Sequence, residues 1–164
     1  MIDRYIRSVQ ALSRLGAGVA VLLLFLAMVV VCQMILMRYF FKAATIWQTE
    51  AVVFSATAAI FIGAPYVLMT KGHVGVDVVQ MLVSGTKRKV LDALGSIAGL
   101  AFCIVMLIAF GLHWWEAFEG GWTTPSVAAL PLWWPLTPIV VGFLLLVLQY
   151  IAELLKLCCA KEEV

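Results

Sequence analysis

Four long apolar stretches constrain the fold of this chain more than any other feature of its sequence. They cover residues 15–37, 46–69, 90–112 and 132–155, and none of them contains Lys, Arg or His. Each is long enough to cross the hydrocarbon core of a bilayer as a helix, which takes about 20 apolar residues. Charged residues make up only 12% of the 164-residue chain, against about 25% in soluble domains. We therefore expect an integral membrane protein with four transmembrane spans.

The spans are expected to be helices. Lipid offers the backbone no hydrogen-bond partners, so only helices and closed barrels cross a membrane, and barrel strands alternate apolar with polar residues. Residues 19–31 are uninterrupted apolar sequence instead, and this first stretch is longer than the apolar part of a signal peptide. The sequence predicts an all-α protein with one membrane domain over residues 1–164. Because no room is left for a catalytic domain, we do not expect an enzyme.

The basic residues predict the orientation in the membrane. Nine of the eleven Lys and Arg residues fall in the N-terminal tail, in the connection between spans two and three, or in the C-terminal tail. The opposite side has only Arg38 and Lys42. Since Lys and Arg accumulate on the cytoplasmic side, both termini are expected in the cytoplasm, and the protein in the bacterial inner membrane.

The segments outside the spans carry patterns of their own. Residues 1–14 place apolar side chains at near-helical spacing between arginines, which suits either a short amphipathic helix on anionic lipid or a simple topology-setting tail. A narrow polar stripe over residues 77–84 predicts a second short interfacial helix, with Asp77 at its start. Pro135 and Pro138 are expected to kink or loosen the outer end of the fourth span. Five of the six tryptophans fall within residues 114–134, an aromatic belt at the outer face.

Glu50 is the main candidate for chemistry inside the membrane. It stands near the outer end of the second span, where a carboxylate carries a modest insertion cost and needs a partner. Arg38 stands at a similar depth across the short connection between spans one and two. We predict an ion pair between them, within this hairpin or across an interface with another subunit. A proton- or ion-coupling role for Glu50 is the alternative.

The sequence offers little support for a cofactor. His73 and His113 are the only histidines, and a helix over residues 90–113 rises about 35 Å, so one haem cannot bind both within one chain. Cys158 and Cys159 are expected in the reducing cytoplasm, where a metal or disulfide role is a minor alternative. No phosphate loop, nucleophile elbow or paired-carboxylate site is present. We predict no cofactor, metal, catalytic residue or substrate site on this chain, and no nucleic-acid partner.

Four motifs occur in an order that is informative. An Arg-Tyr pair ends the first span, a Trp-Gln-Thr-Glu sequence opens the second, a Gly-His pair precedes Asp77, and a Thr-Pro pair leads to Pro-Leu-Trp. On this four-span layout the chain resembles the small membrane subunit, often called DctQ-type, of tripartite ATP-independent periplasmic (TRAP) transporters. Thr49 stands where the family usually has an acidic residue. The motif residues are Arg38, Tyr39, Trp47–Glu50, Gly72, His73, Asp77, Thr124, Pro125 and Pro131–Trp133.

The resemblance implies a sodium-coupled symporter made of several proteins. A large membrane subunit would carry the substrate and sodium sites, and a periplasmic binding protein would deliver an organic acid. The small subunit would pack on the large one as a scaffold. Candidate structural and interface residues are Arg38, Tyr39, Trp47, Glu50, Gly72, His73, Asp77, Gly95, Gly99 and Gly142. Candidates for docking the binding protein at the outer face are Lys42, Glu116, Glu119 and Trp122.

A second function stays open at this stage. Membrane anchors of electron-transfer complexes and other enzyme complexes are also small four-span proteins. A haem absorption band in the purified complex would favour the anchor, and co-purification with a large multi-span protein would favour the transporter. The sequence does not name the substrate.

The predicted orientation is tested by labelling Cys158 and Cys159. In intact spheroplasts a membrane-impermeant thiol reagent should leave both cysteines unmodified, because the C-terminus is expected in the cytoplasm. Breaking the inner membrane should allow labelling. Modification of these cysteines before the membrane is broken would reverse the topology.

Overall fold

The computed structural model describes residues 2–42, 45, 47–70, 86–126 and 129–159, with the backbone alone at residues 2–3, 86–92 and 157–159. Four helices account for most of this chain: α1 (Ile2–Phe40), α2 (Trp47–Met69), α3 (Thr86–Glu119) and α4 (Trp133–Cys159). All four are long and apolar enough to cross a membrane, so the predicted four-span, all-α fold is confirmed. The interfacial helix predicted over residues 77–84 lies outside the described residues.

Helix α1 is longer than the predicted first span. Its 39 residues form one continuous helix of about 58 Å, and residues 2–14 extend the span without a break. Neither a separate amphipathic helix nor an irregular tail is present there. Val9 and Ser13 are buried, so tertiary packing explains why this charged segment stays helical in line with the span.

Helix α3 is also longer than predicted, because it begins at Thr86 and runs on to Glu119. Gly121 then adopts a left-handed conformation with φ of 60°, which only glycine tolerates easily. The chain returns as a tight hairpin-like loop, in which Thr124 N donates to Leu130 O and Leu132 N donates to Trp122 O, both at 2.8 Å. The outer connection between α3 and α4 is therefore held by its own backbone.

The prolines are accommodated inside the helices. Helix α4 begins at Trp133, so Pro135 falls in the first turn, where a backbone N–H is not needed. The helix continues through Pro138 to Cys159, and α2 likewise continues through the buried Pro65. Each internal proline leaves one carbonyl of the preceding turn without its helical donor.

The helices form an open row rather than a closed bundle. Helix α1 packs on α2, α2 packs on α4, and α4 packs on α3, while α1 meets α4 over a shorter contact. Among the described residues α3 has extensive contact with α4 alone. Phe143 of α4 lies at the middle of the row, with its ring centroid 5.3 Å from that of Phe61 and 5.7 Å from that of Phe110.

Glycines allow the helices of this row to approach closely. A Cβ atom at Gly142 of α4 would lie 2.5 Å from the Phe61 carbonyl oxygen, and one at Gly16 of α1 would lie 2.7 Å from the Ile62 carbonyl oxygen. The carbonyls of two successive α2 residues therefore each face a glycine. Phe61 faces Gly142 of α4, and Ile62 faces Gly16 of α1. Pro65 cannot donate to the Phe61 carbonyl, and the bare backbone of Gly142 covers that oxygen.

Substitution of Gly142 by alanine tests this junction. The added methyl group has to displace backbone, which typically costs about 1–3 kcal/mol in a packed interior. We expect a lower melting temperature of the purified chain in detergent, measured by loss of the monodisperse peak after heating. Gly111→Ala is the matched control, because nothing lies within 4 Å of a Cβ at that position. Equal melting temperatures for the two variants would contradict the junction.

Candidate functional site

The first turn of α2 contains two buried acceptors. Gln48 is only 6% exposed, and its Oε1 has no hydrogen-bond partner among the described residues. The Oε2 of Glu50 is also buried without a partner there. The hydroxyl of Thr49 lies 3.8 Å from the sulfur of Met34 on α1, so this side of α2 faces its neighbour within the hairpin. Unpaired buried acceptors are costly, and both oxygens call for a donor.

The hairpin does not supply a cation to Glu50. Arg38 and Lys42 are both exposed, and the ion pair found among the described residues joins Lys156 to Glu153 at 3.1 Å. The structure therefore shows no Arg38–Glu50 pair within the hairpin. Helix α1 continues past Arg38 to Phe40, and the arginine stays on the outside of the helix. A pairing of either charge with another subunit stays a prediction.

An aromatic cluster connects the C-terminal end of α3 to the first turns of α4. The indole Nε1 of Trp114 donates to the Thr137 hydroxyl at 3.0 Å, and that hydroxyl donates to the Trp133 carbonyl at 2.7 Å. Phe118 stacks on Trp114 and meets Trp133 edge-on, with centroids 5.5 and 5.8 Å away. Thr137 was not among the residues predicted from the sequence. Its position between two prolines, in an otherwise apolar span, was the available signal.

The outer-face candidates divide into two places. Trp122 folds back over the end of α3, where its ring centroid lies 5.8 Å from that of His113 and its Nε1 would touch a Cβ at Gly120. Glu116 and Glu119 are exposed on the last turns of the same helix. The structure thus places these three candidates at the C-terminal end of α3, where the two glutamates form an exposed acidic patch. Lys42 follows α1, at the other edge of the helix row.

The opposite end of the molecule contains a buried polar contact between α1 and α4. The Ser13 hydroxyl donates to Gln149 Oε1 at 3.0 Å, and the Tyr5 hydroxyl donates to the Leu148 carbonyl at 3.2 Å. Gln149 is 0% exposed. Its Nε2 has no partner among the described residues. These residues were also missed by the sequence analysis, although an amide inside an apolar span usually marks a helix–helix contact.

The remaining candidates are scattered. Tyr39 and Trp47 are exposed on either side of the outer connection. Gly99 packs against the ring of Tyr150, as Gly142 packs against Phe61, so both glycines serve contacts within this chain. Gly95 has nothing within 4 Å of a Cβ and is free to approach another molecule. Gly72, His73 and Asp77 lie outside the described residues.

In the part of the chain that the structure describes, no three His, Cys, Asp or Glu residues come together in a way that could hold a metal ion. Ser13 with Gln149, and Trp114 with Thr137, form hydrogen bonds between helices. Such an arrangement suits a structural membrane component.

Comparison with known proteins decides the family. Residues 27–160 match the model of the DctQ component of tripartite ATP-independent periplasmic transporters. The chain belongs to this family. A DctQ component is part of a transporter and not an enzyme, so both of these predictions are confirmed. The same match decides against the membrane anchor of an enzyme complex.

One curated relative is the C4-dicarboxylate TRAP transporter small permease protein DctQ of Vibrio cholerae serotype O1. It is 30% identical to the DctQ chain described here over 99 residues, which are 59% of this chain and 42% of the relative. The match thus spans less than half of the relative's length. No solved structure matches the chain.

A double-mutant cycle tests the buried contact between Ser13 and Gln149. Ser13→Ala and Gln149→Leu should each lower the stability of this DctQ chain, and the double variant should lose less than the sum, because neither side chain then lacks its partner. The expected coupling is about 0.6 kcal/mol, as is typical for hydrogen bonds between membrane helices.

Unfolding in a titration with denaturing detergent measures each stability. Ser8→Ala is the matched control, since the exposed Ser8 hydroxyl bonds only to the Arg4 carbonyl of its own helix, at 2.9 Å. Strictly additive effects of the two substitutions would show that the contact contributes nothing.

Proposed function

We propose that this chain is a scaffold subunit of a sodium-coupled TRAP transporter in the bacterial inner membrane, with both termini in the cytoplasm. It packs on a large membrane subunit, which carries the substrate and sodium sites. The observation that carries the proposal is the family match over residues 27–160. The subunit thereby supports the uptake of an organic acid that a periplasmic binding protein delivers.

The arrangement of the helices supports a scaffold role. The helices α2 and α4 run on through Pro65 and Pro138, whereas transporter sites for ions are typically built from interrupted helices. Among the buried polar groups, Gln48 lies in the first turn of α2, and Gln149 bonds to Ser13, which precedes the apolar stretch 15–37. Four helices in an open row enclose no path of their own, but they present two broad apolar faces.

Two surfaces fit the proposed partners. Glu50, which is only partly buried, suits a basic group on the large subunit at the periplasmic boundary of the membrane. The exposed patch of Glu116, Glu119 and Trp122 lies on the periplasmic side in the proposed orientation, where a soluble binding protein with a basic surface would dock. A double-mutant cycle in the assembled complex tests whether Glu50 and Arg38 are coupled. If the double variant Glu50→Gln, Arg38→Gln loses less complex stability than the two single variants lose in sum, these two charges lie at one interface.

The substrate class is proposed by analogy alone. The Vibrio cholerae relative is named for C4-dicarboxylates, and a carboxylate is therefore the first substrate class to screen. A ligand screen on the partner binding protein would identify the compound, since no described residue of this chain is assigned to substrate.

Reconstitution into liposomes with a sodium gradient tests the scaffold role. The isolated chain should accumulate no radiolabelled carboxylate, and the large subunit alone should be inactive or unstable. The two membrane subunits with the binding protein should restore uptake. Uptake by the isolated chain would overturn the proposal, and so would full activity of a stable large subunit without it.

A further inference from the structure

The first turns of α1 carry a basic face that is fixed in direction. Arg4, Arg7 and Arg14 follow one another at i, i+3 and i+10 and are all exposed, a spacing that places them on one side of the helix. None of the three forms an ion pair with an acidic side chain among the described residues. Asp3 precedes Arg4 in the helix, and no further acidic residue follows up to the end of α1, so this helix segment keeps a net positive charge.

The opposite side of the same segment is attached to α4. Tyr5 donates its hydroxyl hydrogen bond to the Leu148 carbonyl, Val9 is buried, and Ser13 donates to Gln149. These contacts prevent the segment from rotating about its axis. The arginines therefore project from the side of α1 that faces away from α4.

The basic face continues directly into an apolar one. One turn beyond Arg14 stands Gly18, where nothing lies within 4 Å of a Cβ, and the next turns on that side expose Leu22 and Phe25. Gly18 leaves a shallow notch between the exposed Leu15, which is next to the last arginine, and Leu22 one turn further on. This surface has positive charge at one end, a notch beside it and an apolar strip beyond the notch, and it is therefore complementary to an anionic phospholipid.

The depth of each arginine follows from the helix geometry. Arg14 is the last charged residue before the apolar stretch 15–37 and therefore stands at the boundary of the hydrocarbon core. Arg7 lies about 10 Å and Arg4 about 15 Å further along the axis, while the headgroup layer is only about 5–7 Å thick on each side. Arg14 and Arg7 can reach phosphate groups with their long side chains, and Arg4 acts through its field.

We propose that this face of α1 binds one anionic phospholipid of the adjacent leaflet. Its phosphate accepts hydrogen bonds from the guanidinium groups of Arg14 and Arg7, and an acyl chain lies in the notch at Gly18 and along Leu22 and Phe25. Arginine is well suited to this task because its planar fork matches a phosphate. The competing occupant is a helix of a partner protein. Close helix contacts in membranes use small residues in series, whereas Gly18 on this face is followed by bulky side chains.

Lipid binding to the purified full-length chain tests the proposal. In native mass spectrometry the chain should bind phosphatidylglycerol much more tightly than phosphatidylcholine. Arg7→Gln with Arg14→Gln should weaken phosphatidylglycerol binding by more than tenfold, since each arginine at the surface contributes about fivefold. Arg38→Gln removes one positive charge from the other end of α1 and should leave this binding unchanged, whereas Arg7→Gln alone should weaken it.

A second variant tests the notch without a change in charge. Gly18→Leu fills the notch and should weaken phosphatidylglycerol binding several-fold, while Gly111→Leu, at another open glycine on α3, should not. If Arg38→Gln weakened phosphatidylglycerol binding as much as the Arg7→Gln, Arg14→Gln pair, the lipid would be held by general electrostatic attraction, and the proposed site would be overturned. So would equal binding of both lipids, or a protein-sized adduct from a photo-crosslinking residue at position 18 in cells.

The outcome is independent of the proposed transport role. The experiment uses this chain alone, and a lipid site would stand even if reconstitution failed to show a scaffold. Conversely, unchanged binding by the arginine and glycine variants would remove the lipid site and leave the transport proposal as it was.

Discussion

The close contact of α2 with the glycines of its two neighbours holds the helix row together. In lipid, apolar side chains gain little by meeting one another, so association depends on packing and on the satisfaction of polar groups. The Phe61 and Ile62 carbonyls lie against Gly142 and Gly16, which fixes α1, α2 and α4 at one level. Buried alanines such as Ala20 and Ala59 extend the close approach along the helices. The remaining contacts add directional bonds near the two ends.

Those end contacts fit the different environments of a membrane protein. Where α3 ends and α4 begins, Trp114 bonds to Thr137. An indole has both an apolar ring and a hydrogen-bond donor, which suits the headgroup layer. At the other end, Ser13 and Gln149 form a buried bond that water cannot replace. The middle of the row relies on glycine, alanine and phenylalanine. The polar groups thus define the register of the helices on one another.

The sequence predicted the four spans and the family, because hydropathy and motif order are local properties of the chain. It failed where tertiary contacts decide. The extension of α1 back to Ile2 depends on Val9 and Ser13 packing under α4, and no periodicity in residues 1–14 shows that partner. The Arg38–Glu50 pair was inferred from equal depth, but depth does not specify the direction of a side chain around a helix. Likewise Gly99 and Gly142 were expected at a subunit interface, and both pack within the chain.

The position of α3 at the edge of the row has a consequence for how the protein is made. Among the described residues its main packing partner is α4, which follows it in the chain and is synthesised after it. The hairpin of α1 and α2 can assemble as soon as it is synthesised, whereas α3 enters the bilayer before the helix it packs on exists. It has to remain there by its own apolarity, and its many exposed Leu, Ile and Val side chains provide that. Helix α4 then joins α3 to the hairpin in a single late step, through Phe143, which contacts Phe61 of α2 and Phe110 of α3.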